Sequence, residues 1–348
     1  MSLVLDGRTA FSFWMSASGT VNTTRLSAGN NQLTSFEGVS RRDLSSAIAR
    51  KDGVQQPLYL LVKNPEERRC CGPIVCSSWS KSRPIPDNSI ITIGDNLRTV
   101  SPELCLLRLA VQLPRLDFLR ALTDMLGIYF LSMSNRTNLI SREPITTKAS
   151  IEEFLARVPG APGSSLLKRA LNWTVERSAS PRETTMDLDL ILPTKLGGQG
   201  LPPFEANYKY ELTNDARPLT LRHWLVADVA WPKRNETIEY NSSKFHDDEA
   251  QKEFDFEKIT AMQRMGKTVT PISNRQFSNY ESFESIVVGL RKRWGMRDRF
   301  STEVAQRRAD THGKLLAMER AQRTAPPLLD TAIWQFLLPR LDVSTPAI

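Results

Sequence analysis

The sequence predicts an α/β protein whose C-terminal half is a sandwich of helices around a small mixed sheet. One observation is a capped helix that begins near Ser180. A second is the series of three β-prone segments that follows it, of which the last two form a hairpin within residues 226–241. The third is the helix, strand and helix that continue as far as Trp294. This order of elements is typical of helices packed against a mixed sheet.

The first part of the chain, residues 1–98, is predicted to be a small α+β module. Residues 57–62 (PLYLLV) and 89–94 (SIITIG) are predicted strands, and residues 40–49 are a predicted short helix that Ser40 caps. Three arginines lie on or beside this helix: Arg41, Arg42 and Arg50. They can contact phosphate or form a solvated face, and the sequence favours the solvated face.

Residues 99–177 are predicted to be a helical scaffold without chemistry of its own. Ser101 caps a helix that has Pro102 at its first position, and Pro114 ends or kinks it. Three further helices are predicted over residues 116–129, 147–158 and 163–176. The expected role of this block is to support its neighbours.

The helix after Ser180 opens a predicted domain of residues 178–294. Ser180 and Glu183 have the spacing of a capping box. In that motif Ser180 accepts a hydrogen bond from the backbone N–H of Glu183, and the Glu183 carboxylate reaches back to the N–H of Ser180. From local sequence this structural role is at least as well supported as a catalytic one.

The hairpin carries two acidic residues. Residues 226–231 and 237–241 are its predicted strands, and residues 232–235 are the turn. If Trp231 lies opposite Glu236, then Asp228 lies opposite Glu239. The register places Val229, Trp231, Ile238 and Tyr240 on a core face, and Asp228, Glu239 and Asn241 on the other.

Two opposed carboxylates destabilise a sheet unless something compensates their charge. A divalent cation such as Mg²⁺, which prefers carboxylate oxygens, is one explanation. A solvated strand face with the register shifted by one residue is the other, and spacing alone favours it.

The chain beyond the hairpin is predicted to form a helix over residues 247–265, a strand over 268–272 and a helix over 280–294. Residues 295–348 are then a basic helix and an apolar tail. The chain turns basic from Arg291 onward, with Arg307, Arg308 and Arg320 following. Because acids are interspersed among these arginines, they are expected to form a solvated helix face. The tail, residues 328–341, is expected to dock on its own chain or on a partner.

The charge balance favours an anionic partner. The formal net charge is +8, from 46 basic and 38 acidic residues, which suits a polyanion or an anionic membrane surface. The four cysteines lack the spacing of a zinc site, so free thiols in the cytoplasm are expected. The most apolar region, residues 104–133, is interrupted by charges and proline, which argues against a membrane span.

Glu183 on a helix, Asp228 on one strand and Glu239 on the next resemble the pattern of the PD-(D/E)XK nuclease superfamily. The closer likeness is to the branch related to very-short-patch-repair endonucleases, whose domains occur in AbiEi-like antitoxin and regulator chains. The matching segments are 180–184 (SPRET), 200–207 (GLPPFEAN), 226–232 (VADVAWP), 238–246 (IEYNSSKFH) and 265–273 (MGKTVTPIS). The resemblance covers residues 178–294 and implies a restriction-endonuclease-like αβββαβα sandwich.

The resemblance also implies site residues. Asp228, Glu239 and Glu183 would hold Mg²⁺ or Mn²⁺, and His246 would act as a general acid or base. This sequence has Asn241 where the branch has an acid and the wider superfamily a lysine, so charge is missing there; Lys244 is the candidate replacement. Four basic residues would attract the DNA backbone: Lys233, Arg234, Lys244 and Lys252.

The implied activity is metal-dependent hydrolysis of phosphodiester bonds in DNA, in an enzyme that is active or has decayed. The alternative is a non-catalytic, DNA-binding transcriptional regulator of the antitoxin type. A third hypothesis is an interaction protein that docks through its apolar tail.

Overall fold

The structure, a computed structural model, describes residues 3–20, 27–28, 33–34, 57–63, 66, 74–79, 83–94, 97–132, 138–241, 249–297 and 301–324. The protein is mixed α/β, as predicted. Its described residues form two compact units, one up to Asn172 and one from Trp173 to Gln322. The regions on either side of residue 98, predicted as two parts, belong to one unit.

The first unit contains a six-stranded sheet with the strand order β2–β5–β6–β1–β3–β4. Its strands are β1 (Leu3–Leu5), β2 (Ser27–Ala28), β3 (Leu58–Val62), β4 (Ile74–Ser78), β5 (Ile90–Gly94) and β6 (Leu97–Val100). A separate hairpin pairs β7 (Tyr129–Leu131) with β8 (Leu139–Ser141). The two strands predicted in this region are therefore confirmed as β3 and β5. The predicted helix over residues 40–49, with its three arginines, lies outside the described residues.

The helices of the first unit are α1 (Gly7–Thr20), α2 (Pro102–Gln112), α3 (Arg115–Leu126), α4 (Lys148–Arg157) and α5 (Ser164–Ala170). The hydroxyl of Ser101 accepts a hydrogen bond from the N–H of Leu104 at 3.3 Å, which confirms the predicted cap of α2. The helix predicted over residues 163–176 is shorter, because a 3₁₀ turn, Leu171–Trp173, follows Ala170.

The second unit is built on a four-stranded sheet with the order β12–β11–β10–β9. Its strands are β9 (Glu205–Glu211), β10 (Trp224–Trp231), β11 (Glu236–Asn241) and β12 (Thr268–Ser273). The first three strands run antiparallel, and β12 is parallel to β11. The helices are α6 (Pro181–Ile191), α7 (Glu249–Arg264), α8 (Asn274–Ser278), α9 (Tyr280–Arg293) and α10 (Thr302–Thr324).

Two apolar clusters pack against the strands of this sheet. The larger contains Val229, Trp231 and Ile238 together with residues of α6, α8, α9 and α10. The smaller contains Leu225, Ala227 and Ala230 together with Ala261 and Met262 of α7. Strand β10 therefore packs against helices of both clusters.

The expectation of a solvated basic face is wrong for two arginines. Arg291 and Arg308 are each 1% exposed in their side chains, and both approach the carboxylate of Glu284. Charges this deeply buried need partners, and local sequence showed none. The apolar tail, residues 328–341, lies outside the described residues. None of the helices in the described ranges is long and apolar enough to cross a membrane.

Candidate active site

The hairpin has the predicted register. Trp231 pairs with Glu236, Ala230 with Thr237 and Val229 with Ile238. The paired residues end at Val229 and Ile238, and Asp228 and Glu239 are the next residues of the two strands. The predicted core face is also confirmed, because Val229, Trp231 and Ile238 are buried and Tyr240 packs against them.

The ladder is interrupted at Asp228. The carboxylate oxygen Oδ2 of Asp228 accepts a hydrogen bond from the backbone N–H of Tyr240 at 2.6 Å, so a side chain takes a donor of the neighbouring strand. On the neighbouring strand β9, Asn207 has a left-handed backbone conformation, with a φ of 49°. Residues on either side of both positions pack in different apolar clusters: Ala206 and Val229 in the larger, Tyr210 and Ala227 in the smaller. In a regular strand Ala227 and Val229 would share one face of the sheet, so the alternation of side chains is broken at Asp228.

Lys258 of α7 places a positive charge beside Asp228 and Glu239. Its ammonium group forms an ion pair with Oε2 of Glu239, and only 15% of the Lys258 side chain is exposed. Burial alone would lower the pKa of Lys258, but the charges of Asp228 and Glu239 raise it above its ordinary value. Lys258 and Asp228 line the same open cavity.

The pKa values of both acids of the hairpin are raised above their ordinary range. Burial, followed by the negative charge of Asp228, raises the pKa of Glu239 to about 8, although Lys258 opposes the shift. Burial also raises the pKa of Asp228, against the opposing effects of Lys258 and of the Tyr240 N–H. The cost of burying these charges is therefore only partly offset by the single lysine.

Glu183 lies close enough to Asp228 to be influenced by its charge, but its carboxylate folds back on its own helix. Oε2 accepts from the N–H of Ala179 at 2.9 Å and Oε1 from the hydroxyl of Ser180 at 2.9 Å. The predicted cap is confirmed for Ser180, which accepts from the Glu183 N–H at 3.1 Å; the reciprocal bond goes to Ala179 instead. Burial and the charge of Asp228 raise the pKa of Glu183 to about 7.

Asn207 links the helix to the sheet. Its side-chain N–H₂ donates to Oε2 of Glu183 at 2.7 Å and to the carbonyl of Arg177 at 2.9 Å. Both oxygens of Glu183 are therefore occupied by donors of the protein, which leaves Asp228 and Glu239 as the carboxylates best suited to a cation.

The donors of the hairpin fit a divalent cation in part. Oε1 of Glu239 is buried and has no hydrogen-bond partner, which is costly unless a cation or water binds it. Within the described ranges no three side chains of His, Cys, Asp or Glu group as metal ligands. Two carboxylates with water in the remaining positions are nevertheless a common arrangement for Mg²⁺.

The other predicted site residues have different outcomes. Asn241 ends β11 and pairs with Ser273 of β12. Lys233 and Arg234 are exposed in the 3₁₀ turn of the hairpin, and the Arg234 guanidinium lies 5.0 Å from the centre of the Trp294 ring. Lys244 and His246 lie outside the described residues, as does the side chain of Lys252.

Sequence reasoning missed Lys258, Asn207 and Asp187. A signal for Lys258 was present, because Phe254, Lys258 and Met262 follow at four-residue spacing and share one face of the helix, and a lysine on an apolar face needs a partner. Asp187, a turn after Glu183, is fully buried and accepts from the Ser178 hydroxyl at 2.6 Å. Asn207 had no comparable signal.

Comparison with protein families, with curated proteins and with solved structures finds no match to this chain.

Proposed function

We propose that the second unit is a nuclease domain of the restriction-endonuclease-like type that hydrolyses phosphodiester bonds in DNA. The observation that carries the proposal is a pair of carboxylates, buried Glu239 and partly buried Asp228, beside Lys258, which lines an open cavity together with Asp228. The order of elements also supports it: α6, three antiparallel strands, α7, a strand parallel to the third, and α9. This order agrees with the αβββαβα sandwich that the resemblance implies.

Asp228 and Glu239 would hold Mg²⁺ or Mn²⁺. When bound, such an ion stabilises charge on the scissile phosphate and lowers the pKa of water. The chain's own residues prepare this site. The Tyr240 N–H orients the Asp228 carboxylate, while Asn207 and the start of α6 hold Glu183 at the edge of the cluster, where it contributes negative charge.

Lys258 compensates for the lysine that is missing at Asn241. Its ammonium group reaches the cluster from α7 and pairs with Glu239, so the site has a cation although Asn241 supplies none. A lysine here can hydrogen-bond to a phosphate oxygen or to the attacking water. Lys258 therefore takes the role that the sequence suggested for Lys244.

The test is cleavage of supercoiled plasmid DNA by the purified full chain with Mg²⁺ or Mn²⁺. Asp228→Asn and Glu239→Gln should each reduce cleavage on the order of 100-fold or more, because the ion supplies several kcal/mol of charge stabilisation. They should also weaken Mn²⁺ binding measured directly by electron paramagnetic resonance. Lys258→Gln should lose cleavage and keep Mn²⁺ binding. Glu211→Gln, an exposed acid of β9, is the matched control.

Failure of the wild-type protein to cut DNA or RNA with any divalent metal would remove the nuclease proposal. The missing charge at Asn241 favours one second candidate, a non-catalytic DNA-binding regulator. That candidate requires DNA binding that persists in EDTA and in Asp228→Asn, and binding without cleavage would support it.

A further inference from the structure

The cavity beside the two acids is open and is lined by two chemically different groups of residues. Its volume is about 260 Å³, and its lining includes Asn207, Arg222, Trp224, Asp228, Phe254 and Lys258. Asp228 and Lys258 are charged and partly buried. Trp224 and Arg222 are exposed and, with Phe254, supply two aromatic rings and a cation.

Trp224 presents a large aromatic surface at the cavity. It is 49% exposed on a strand, although a tryptophan side chain carries a large apolar area that folding normally buries. The ammonium group of Lys209 lies 3.9 Å from the centre of its ring, and Lys209 is not among the residues that line the cavity. Trp224 thus contacts a cation and also borders the cavity.

A second cation and ring lie at the same opening. The guanidinium of Arg222 lies 4.9 Å from the centre of the Phe254 ring. Aromatic rings interleaved with basic side chains are the combination that binds single-stranded nucleic acid, because the rings stack on bases and the cations contact phosphates.

The size of the cavity limits what can enter it. It is smaller than the ~300–1,000 Å³ of typical ligand pockets, so it suits one planar ring and not a whole duplex. In a duplex both faces of each base are covered by the neighbouring base pairs. A base can therefore stack on a protein side chain only when it is unpaired or turned out of the helix.

We propose that this cavity binds an unpaired nucleotide, with its base against Trp224 and its phosphate toward Arg222, so that the protein prefers DNA with single-stranded segments. The proposal rests on the proposed function, which makes DNA the partner, and it deepens that function by naming the substrate class. The strand that enters the cavity would bring a phosphodiester to the side that carries Asp228 and Lys258.

The test measures binding in EDTA, so that it does not depend on cleavage. A fluorescently labelled single-stranded oligonucleotide and a blunt duplex of the same sequence are titrated with the full chain. The wild-type protein should bind the single strand more tightly. Trp224→Ala should weaken that binding by about 5- to 150-fold, which corresponds to ~1–3 kcal/mol for one stacked base.

Two variants make the result specific. Trp224→Phe should restore most of the affinity, because it retains a ring. Phe256→Ala removes an aromatic residue of α7 that is 72% exposed and does not line the cavity, and it should bind as the wild type does. Thermal unfolding of each variant shows whether it is folded.

Equal affinity of wild type and folded Trp224→Ala for the single strand would overturn the proposal, as would tighter binding to the duplex. The two proposals fail separately. A Trp224-dependent preference for the single strand without metal-dependent cleavage would remove only the nuclease function. Cleavage of duplex and single strand that is insensitive to Trp224 would remove only this inference.

Discussion

Asp187 shows how a single buried side chain in the second unit depends on pH. Its Oδ2 accepts from the Ser178 hydroxyl, and its Oδ1 has no hydrogen-bond partner. Burial raises the pKa of Asp187 well above its ordinary value, and the charges of Glu183 and Asp228 add to the shift. The folded protein therefore holds this proton more tightly than the unfolded chain does.

Because folding raises the pKa of Asp187, we predict that Asp187→Asn stabilises the protein at pH 8. For an acid whose pKa is raised by folding, stability falls as pH rises from the unfolded-state pKa through the folded-state pKa. The asparagine removes this fall and can still accept from Ser178. Thermal unfolding should show a Tm about 2–4 °C higher at pH 8, the change that ~1 kcal/mol gives in a domain of 150–250 residues.

The gain from Asp187→Asn should shrink as the pH falls toward 4, because the unfolded-state carboxyl, whose ordinary pKa is 3.8, then begins to take up the proton that the folded state already holds. Asp215→Asn, at an exposed position, is the control and should show no such pH dependence. A Tm difference that is the same at pH 4 and pH 8 would contradict the assignment of a raised pKa.

Between α6 and the sheet, the turn that contains Gly197 determines how closely α10 can pack. Gly197 has φ 82 after the 3₁₀ turn Thr194–Leu196. A Cβ added there would lie 2.7 Å from the carbonyl oxygen of Arg307 and 2.0 Å from Oγ1 of Thr311, both on α10. The position therefore needs glycine for its backbone conformation and for space.

Gly197→Ala should accordingly destabilise the protein more than a left-handed conformation alone explains. Gly266 provides a matched control, because it has φ 75 and nothing within 4 Å of an added Cβ. Gly266→Ala should cost about 1–2 kcal/mol, the usual penalty of a side chain in this conformation. Chemical denaturation would compare the two, and equal losses would show that α10 does not pack closely on this turn.

Across the second unit, a buried polar network connects elements that are distant in sequence. Arg308 of α10 donates to Oε1 of Glu284 on α9 at 2.8 Å and to the carbonyl of Gly198 at 3.3 Å. Arg291 of α9 donates to the carbonyl and the side chain of Gln199, each at 2.6 Å. Buried hydrogen bonds from these two arginines thus connect α9, α10 and the turn at Gly198 and Gln199.

Arg308→Met should lower the free energy of unfolding by about 3 kcal/mol or more, because it leaves a partly buried carboxylate with one partner fewer. The neighbouring Arg307 is exposed, and Arg307→Met should change stability by less than about 0.5 kcal/mol. Urea denaturation of both variants measures the difference. A loss as small for Arg308→Met as for Arg307→Met would mean that the network contributes little to the stability of the unit.

The sequence determined the order of elements in the second unit and the register of its hairpin. Both depend on local patterns. The alternation from Val229 to Ile238 and the turn at Pro232 suffice to align the strands, and the Ser180 cap suffices to start α6. A residue's neighbours on a strand or helix follow from its position in the chain, so these features can be predicted without knowledge of tertiary contacts.

Tertiary structure alone decided which charges meet. Lys258 reaches Glu239 from α7, and Arg308 reaches Glu284 from α10. Glu183 accepts hydrogen bonds at the start of its own helix, and burial together with the charge of Asp228 raises its pKa. Such pairings depend on distances between separate elements, which side-chain packing sets and local periodicity does not encode.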